Sequence, residues 1–339
     1  MKARTILLAF LAMAFSAPVS AQNMANYYRG KTVRVIVGTS AGGGFDLYSR
    51  AIAQFLPSHL PGNPTVIVQN MAGAGSLTAV NYIANAAPKD GTVIGAPNPI
   101  IVTDALFYLE RIKFDARHVK WIGSALRETH VAIAWYKTQT KTFDDTFTRE
   151  FVVAGSGGTS TIYPMVLNAV LGTRLKLVLG YPGTAESNLA MERGEVDGIA
   201  GITWASVKAA QAQALRDNHL RILVQFGLTK HKELPNVPWI FDYAKNEADR
   251  AALKLVLSTQ EFGRPYMVAD GVPDAVVAIL RQAFDETMKD AAFRADAEKR
   301  RLDLDPATGA EIQAVVDDIY KTPPPVVERV RKVLETAGN

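Results

Sequence analysis

The stretch VRVIVGTSAGGGFDLYSRAIAQFL, residues 33–56, carries the pattern that decides the fold. Its apolar start, Val33–Val37, predicts a buried strand, and the spacing of apolar residues in Asp46–Leu56 predicts one face of a helix. Three adjacent glycines, Gly42–Gly44, connect the two elements. Glycine loses more backbone entropy on folding than any other residue, so this run indicates a turn that another group approaches closely.

The same unit of strand, glycine-containing loop and helix recurs along the chain. Its later loops are NMAGAGS (70–76), GSGGTST (155–161) and YPGTAES (181–187), and each follows a predicted strand. A further strand is predicted in GRPYMVADG (263–271), which we expect to return to the first sheet. Strands that alternate with helices predict mostly parallel sheets covered on both faces. The two sets of repeats therefore predict an α/β protein of two domains.

The chain is predicted to cross between the two domains twice. Domain 1 comprises residues 27–126 and 258–339, and domain 2 comprises residues 127–257. Ligands of open α/β sheets bind outside the carboxyl ends of the strands. All four glycine-containing loops lie at that end, so a cleft between the domains would bring them face to face.

The first 21 residues have the pattern of a cleaved secretory signal peptide. Lys2 and Arg4 precede the apolar run 6–15, and the small-residue segment SAPVSA ends at Ala21. The apolar run is shorter than the ~20 residues that a membrane-spanning helix needs. Because no cysteine follows it, we expect no lipid anchor, cleavage after Ala21 and a soluble periplasmic protein.

Composition argues against several classes of function. The 339 residues include no cysteine, which excludes disulfides and thiolate chemistry. Of 37 basic residues, two belong to the leader, and the remaining 35 nearly balance 33 acidic residues. The basic residues form no stripe, so nucleic-acid binding is not expected. No spacing of His, Asp and Glu resembles a metal site, and we expect no cofactor.

The loops are suited to bind a small organic anion. The first N–H groups of a helix have no partner within it, and anions bind there. The third loop adds hydroxyl groups from Ser156, Thr159 and Ser160, and the fourth adds that of Tyr181. We expect Asp46 to cap its own helix, turned away from an anion.

Two other interpretations stay open at this point. Glycine turns often only permit tight packing, and Ser or Thr often only cap helices. The segment AGSGG (154–158) nearly matches the nucleophile elbow of serine hydrolases, although His219 and His231 have no evident acidic partner. The dinucleotide and NTP-binding fingerprints are both absent. Four loops on one edge favour binding over packing alone.

The quoted stretches resemble the Bug family, the substrate-binding proteins of tripartite tricarboxylate transporters. The family's Gly-Gly-x-x-Asp loop matches Gly42–Asp46, and its Pro-Gly-Ala-Gly loop matches Ala72–Gly75, with Ala72 in place of the usual proline. The resemblance covers nearly the whole mature chain. It implies a two-domain Venus-flytrap fold and a protein that is not an enzyme. It also implies capture of a small organic anion, often a carboxylate, for delivery to large and small membrane subunits.

Carried over position by position, the resemblance implies two groups of ligand-binding residues. The first carboxylate site would comprise Ala41, Gly43, Gly44, Phe45, Asp46, Gly73, Ala74 and Gly75, and the distal end Ser156, Thr159, Ser160, Tyr181, Gly183, Thr203 and Trp204. Trp204 has two interpretations, since it could stack on an organic ligand or pack in the core.

The identity of the ligand and its number of carboxylates stay open, because amides and hydroxyls accept any carboxylate and no arginine is evidently placed in a loop. An exported sensor or scavenger would have the same fold and site, so a signalling partner is an alternative to a transporter. We expect a monomer.

Overall fold

The computed structural model describes residues 24–39, 41–42, 44–107, 112–156, 158–181 and 183–336. The predicted signal peptide and the predicted site residue Gly43 lie outside these ranges. Within them the chain forms a two-domain α/β fold, with one sheet in each domain and helices on the sheet faces.

The strands and helices are numbered in chain order. The strands are β1 (Thr32–Val37), β2 (Thr65–Asn70), β3 (Val93–Ala96), β4 (Lys120–Ser124), β5 (His130–Trp135), β6 (Phe151–Gly155), β7 (Leu175–Leu179), β8 (Gly198–Thr203), β9 (Leu220–Phe226), β10 (Pro265–Val268) and β11 (Ala307–Thr308). The helices are α1 (Gly44–His59), α2 (Leu77–Asn85), α3 (Ile101–Phe107), α4 (Asp145–Thr148), α5 (Thr159–Leu171), α6 (Thr184–Arg193), α7 (Trp204–Ala210), α8 (Ala212–Arg216), α9 (Glu247–Leu257), α10 (Asp274–Lys289), α11 (Ala291–Lys299), α12 (Gly309–Tyr320) and α13 (Pro324–Thr336).

Each sheet is parallel on one side and antiparallel on the other. The six-stranded sheet has the order β11-β4-β10-β3-β1-β2. In it β1 runs parallel to β2 and β3, whereas β10 runs antiparallel to β3 and β4. The five-stranded sheet has the order β7-β6-β8-β5-β9, with β6 parallel to both neighbours and β5 antiparallel to both of its own. The parallel sides arise from the strand–loop–helix repeats, and the antiparallel strands adjoin the chain crossings.

The core of the first domain lies on both faces of its sheet. Val33, Ile36 and Val37 of β1 are fully buried, as expected for a strand that helices cover on both faces. Trp121 of β4 is also fully buried and packs against the ring of Phe262 at 5.8 Å between centroids. This tryptophan is therefore part of the core of the first domain.

Two chain segments between the sheets pair with each other, and we call residues 125–129 together with residues 260–264 the hinge ribbon. Three backbone hydrogen bonds of 2.8 to 3.1 Å join the two segments. One of them runs from the Glu128 N–H to the Gln260 carbonyl. The domains are therefore connected through a short two-stranded element.

A search of the described helices for a membrane span found none with the necessary length and apolar character.

Candidate functional site

A cavity of about 300 Å³ lies between the two domains, and we call it the cleft cavity. The first domain lines it with residues that include Phe45, Asn98 and Asp104, and the second with residues that include Thr159 and Ser206. The hinge ribbon adds Glu128, Gln260 and Arg264, and His130 of β5 completes this polar lining. The volume is at the lower end of the range for sites of small organic ligands.

The glycine turn before α1 brings the helix start close to a cation. Gly42 has φ +83°, a left-handed conformation that favours glycine, and an added Cβ would have open space around it. A Cβ on Gly44 would instead lie 3.1 Å from Nη2 of Arg264. The group that approaches this turn is thus the Arg264 guanidinium. Although sequence reasoning placed no arginine in a binding loop, Arg264 lines the cleft cavity.

Asp46 stabilises this turn from inside the protein. Its carboxylate is buried and accepts hydrogen bonds from Gly42 N (2.8 Å), Arg50 Nε (2.9 Å) and Asn70 Nδ2 (2.9 Å). The hydrogen bond from Arg50 is the largest of the effects that lower the pKa of Asp46 to about 2. As the sequence led us to expect, this carboxylate serves its own loop and helix, and it is not part of the cleft cavity's lining.

The second glycine loop, residues 73–76, has an unusual backbone. All four residues have positive φ values, from 44° at Ala74 to 149° at Gly73, although Ala74 and Ser76 carry side chains. Buried Ser76 donates its hydroxyl to the Gly38 carbonyl (3.0 Å) and accepts from Asn98 N (2.9 Å). Ser76 thereby connects the loops that follow β1, β2 and β3. Such a strained backbone persists where surrounding contacts hold it, often at binding sites.

Arg264 forms a buried ion pair at the hinge ribbon. Its Nη1 lies 2.8 Å from Oε1 of Glu128, and the two side chains are 16% and 10% exposed. The guanidinium carbon lies 4.5 Å from the ring centroid of Phe45 and 5.4 Å from that of Tyr48. Its buried Nε has no hydrogen-bond partner among the described residues. The rings and Glu128 thus fix the cation in the cavity wall.

His130 and Asp104 are further titratable groups in the wall. His130 is 5% exposed, and its Nδ1 has no hydrogen-bond partner in the described structure. Burial is the main effect on the pKa of His130 and lowers it, so its imidazole is neutral at pH 7. Burial raises the pKa of Asp104 to about 6. A polar atom such as His130 Nδ1 is costly to bury without a partner, and Asp104 is only partly exposed.

Hydroxyl groups dominate the opposite wall. A smaller cavity of about 120 Å³ adjoins the cleft cavity, with Thr159, Thr203 and Ser206 lining both. It lies where α5, α6 and α7 begin, so helix N-termini and hydroxyls converge there. Its hydroxyl-bearing residues are Ser156, Thr159, Ser160, Thr184, Ser187, Thr203 and Ser206.

Trp204 faces a third cavity of about 450 Å³, which Lys208 and residues 227–233 also line. The indole Nε1 donates to Oε2 of Glu233 at 2.7 Å, and Lys208 Nζ lies 3.0 Å from the same oxygen. Half-buried Tyr181 packs against the core of the second domain. In this conformation neither aromatic side chain lines the cleft cavity.

The structure distributes the predicted site residues over these cavities. Phe45, Thr159 and Thr203 line the cleft cavity, and Ser156 and Ser160 line the adjoining one. Outside both linings lie Ala41, Gly44, Asp46, Gly73, Ala74, Gly75, Tyr181, Gly183 and Trp204. Sequence reasoning missed Asn98, Asp104, Glu128, His130, Ser206, Gln260 and Arg264. The one available signal was the Gly-Arg-Pro sequence before a strand that crosses back to the first sheet.

The side chains needed for a serine hydrolase are engaged elsewhere. Ser156 Oγ lies 3.3 Å from Ser160 Oγ. The His219 ring stacks on Tyr136 at 4.3 Å, and His231 Nδ1 accepts from the Glu233 N–H at 3.2 Å. Within the described ranges, no group of three or more His, Cys, Asp or Glu residues could hold a metal ion.

Comparisons with known sequences identify relatives of the chain. Residues 49–330 match the family model described as the tripartite tricarboxylate transporter family receptor. A UPF0065 protein of Bordetella bronchiseptica is 24% identical over 309 residues, which cover 86% of this chain and 82% of the relative. A UPF0065 protein of Agrobacterium vitis, from the TAR-I ttuE-ttuC' intergenic region, is 24% identical over 322 residues, 92% of this chain and 86% of the relative.

Solved structures share the fold. A TctC solute-binding protein from Polaromonas superimposes with a TM-score of 0.67 at 17% identity, covering 90% of this chain and 98% of that one. The Rpa4515 protein of Rhodopseudomonas palustris with adipate gives 0.61 at 18% identity, covering 91% and 97%. MatC of the same organism with bound malate gives 0.59 at 18% identity, covering 89% and 98%.

Proposed function

Because the chain belongs to the tripartite tricarboxylate transporter receptor family, whose members are periplasmic solute-binding proteins and not enzymes, we propose that it captures a small organic anion, a carboxylate, in its cleft cavity. The observation that carries the proposal is the composition of the two walls. Phe45 in the first turn of α1 and Arg264 lie on one side, and the hydroxyl-lined starts of α5 and α7 lie on the other.

The chemistry of both walls suits a carboxylate. An arginine binds a carboxylate through charge-assisted hydrogen bonds, and Nε of Arg264 still lacks a partner among the described residues. Helix N-termini and hydroxyl groups add donors without adding a net charge. Related structures are consistent with such a ligand, since MatC holds malate and Rpa4515 holds adipate.

Binding would favour the closed arrangement of the domains. A ligand that touches both walls gains its full contacts only when the cleft is closed, so it shifts the hinge equilibrium by that difference in affinity. The paired hinge ribbon supplies the axis. We assign Ser156 and Tyr181 to the wall that closes, because closure would bring their loops toward the ligand. The domain division at residues 126–127 and 257–258 is part of this proposal.

The closed, loaded form would be what a membrane partner recognises. We propose a transporter with a large and a small subunit as that partner, and a monomeric receptor that is exported with cleavage after Ala21. The alternative is a sensor or scavenger that presents the same ligand to a signalling protein. Genes for membrane permease subunits next to the gene of this chain would favour transport.

Thermal unfolding of the mature chain with a panel of carboxylates and their amides tests the proposal. A ligand that binds only the folded state adds about 2.7 kcal/mol of stability at a hundredfold excess over its Kd. We expect stabilisation by an acid and none by its amide. Absence of a shift with every acid, in protein freed of co-purified ligand, would overturn the proposal.

Two variants test the closing wall. Ser156→Ala and Tyr181→Phe should each weaken binding of the acid identified in the panel. Ser58→Ala is the matched control, because the Ser58 hydroxyl is exposed and donates to the Phe55 carbonyl at the end of α1. Wild-type affinity in both test variants would refute the assignment of these residues while leaving capture itself intact.

A further inference from the structure

Among the described residues, the lining of the cleft cavity has more carboxyl groups than cations. Its described lining includes the acids Asp104 and Glu128, the single cation Arg264 and the neutral imidazole of His130. Glu128 already pairs with Arg264 at 2.8 Å. The Asp104 carboxyl is therefore the uncompensated charge. Like charges repel strongly where water is excluded, so this wall disfavours a ligand with two or three carboxylates.

The Asp104 carboxyl has no ion pair and no side-chain hydrogen bond within the described ranges, and burial raises its pKa. Apolar side chains of Phe107, Val256 and Leu334 line the same cavity. A carboxyl that is only partly exposed beside such neighbours is costly to ionise unless a bound group supplies a positive charge or N–H donors.

His130 gives an independent indication of a missing polar partner. Its side chain is more than nine-tenths buried, it lines the same cavity, and Nδ1 has no hydrogen-bond partner among the described residues. Buried polar atoms nearly always have a partner. In the tautomer that carries its proton on Nε2, Nδ1 accepts a hydrogen bond, and a ligand N–H group would then give a partner to the imidazole as well as to Asp104.

We propose that the ligand is an amphoteric solute with one carboxylate and one cationic nitrogen, and that Asp104 binds the nitrogen. The inference rests on the proposed function and narrows its substrate class. The carboxylate would lie at the Arg264 and hydroxyl end, and the short apolar spacer would contact Phe107, Val256 and Leu334. A cavity of about 300 Å³ admits a chain of a few carbons between the two charges.

Matched probes separate this ligand class from dicarboxylates. We would titrate the mature protein calorimetrically with 4-aminobutanoate, 5-aminopentanoate and 6-aminohexanoate. Each is compared with the dicarboxylate of equal length (succinate, glutarate or adipate) and with the plain monocarboxylate. We expect at least one amino carboxylate to bind ten times more tightly than both of its matched compounds.

An Asp104→Asn variant assigns the preference to this residue. It should bind the amino carboxylate at least tenfold more weakly and the monocarboxylate within twofold of wild type. Removal of an unpaired buried acid should not lower the melting temperature, which checks that the variant is folded. The control is Asp242→Asn, since Asp242 is exposed and pairs with Lys230.

The possible failures can be told apart. If a dicarboxylate binds as tightly as the amino carboxylate of its length, or Asp104→Asn keeps the wild-type ratio, the inference is wrong and carboxylate capture stands. If no compound with a carboxylate binds, the proposed function fails and the inference fails with it.

Discussion

Replacing Arg264 by glutamine should destabilise the protein by about 3–5 kcal/mol, because the substitution leaves the Glu128 carboxylate buried without its counter-charge. The Glu128 side chain is 10% exposed and lies 2.8 Å from the guanidinium. Water that enters the cleft reaches only a small part of this carboxylate, so it replaces the lost partner incompletely. The cost is therefore that of an unpaired interior charge and not that of a lost surface contact.

A double-mutant cycle in urea measures this effect. Glu128→Gln removes the charge and keeps the shape, so Arg264→Gln combined with Glu128→Gln should recover part of the loss. We expect a coupling energy of about 2 kcal/mol or more between the two sites, as found for residues that share a buried network. Fluorescence and far-ultraviolet circular dichroism should both be followed, since two domains can unfold separately.

The exposed pair of Lys176 with Glu150 is the matched control. Its charged atoms lie 3.2 Å apart, but both side chains are 60% exposed. Lys176→Gln should therefore cost about 0–1 kcal/mol. If Arg264→Gln costs no more than this control, the Arg264 pair is effectively solvated. The view of the cleft wall as a water-poor surface would then be refuted.

Three further predictions concern single side chains. Asp46→Asn should lower the unfolding free energy at pH 7 by about 1–2 kcal/mol. Because the pKa of Asp46 is lowered in the folded state, the stability that its ionised carboxylate contributes is present above about pH 4 and is lost as the pH falls toward 2. Urea unfolding of the wild type and of Asp46→Asn across that pH range measures this loss. Ser76→Ala leaves the buried Gly38 carbonyl and the part-buried Asn98 N–H without this partner and should cost about 1–3 kcal/mol, measured by urea unfolding with Ser58→Ala as control. Trp204→Phe should change the affinity for any carboxylate that binds the wild type by less than twofold in calorimetry, because the indole lines another cavity; a tenfold loss would place the ring at the ligand.

The fold was largely predictable because the repeated units are locally consistent. Strand, glycine turn and helix follow one another, and glycine-containing loops mark the boundaries between them. The resemblance to the Bug family is confirmed by the family match. The errors occur at boundaries. Helix α5 begins at Thr159, so the hydroxyl residues 159–161 form its first turn where a loop was expected. Residues 204–216 form two short helices, α7 and α8, which are separated at Gln211.

The site was less predictable because its charged groups come from outside the glycine loops. Arg264 and Glu128 lie in the hinge ribbon, and Asp104 lies in the short helix α3. The sequence predicts that the strand after Arg264 returns to the first sheet, but it does not predict the position of β10 in the strand order, on which the proximity to α1 depends. No sequence pattern predicts the left-handed backbone at Ala74 and Ser76, because neither residue type favours that conformation.

The position of β10 also bears on how the chain acquires its structure as it is made. The second sheet is built from one continuous stretch, residues 130–226, and can pair all its strands once that stretch is available. The first sheet cannot, because β10 lies between β3 and β4. Until residue 268 has emerged, β3 therefore has one unpaired edge and β4 is not joined to the other strands. The amino-terminal half, although synthesised first, thus remains an incomplete sheet with open edges until its carboxyl-terminal strand arrives.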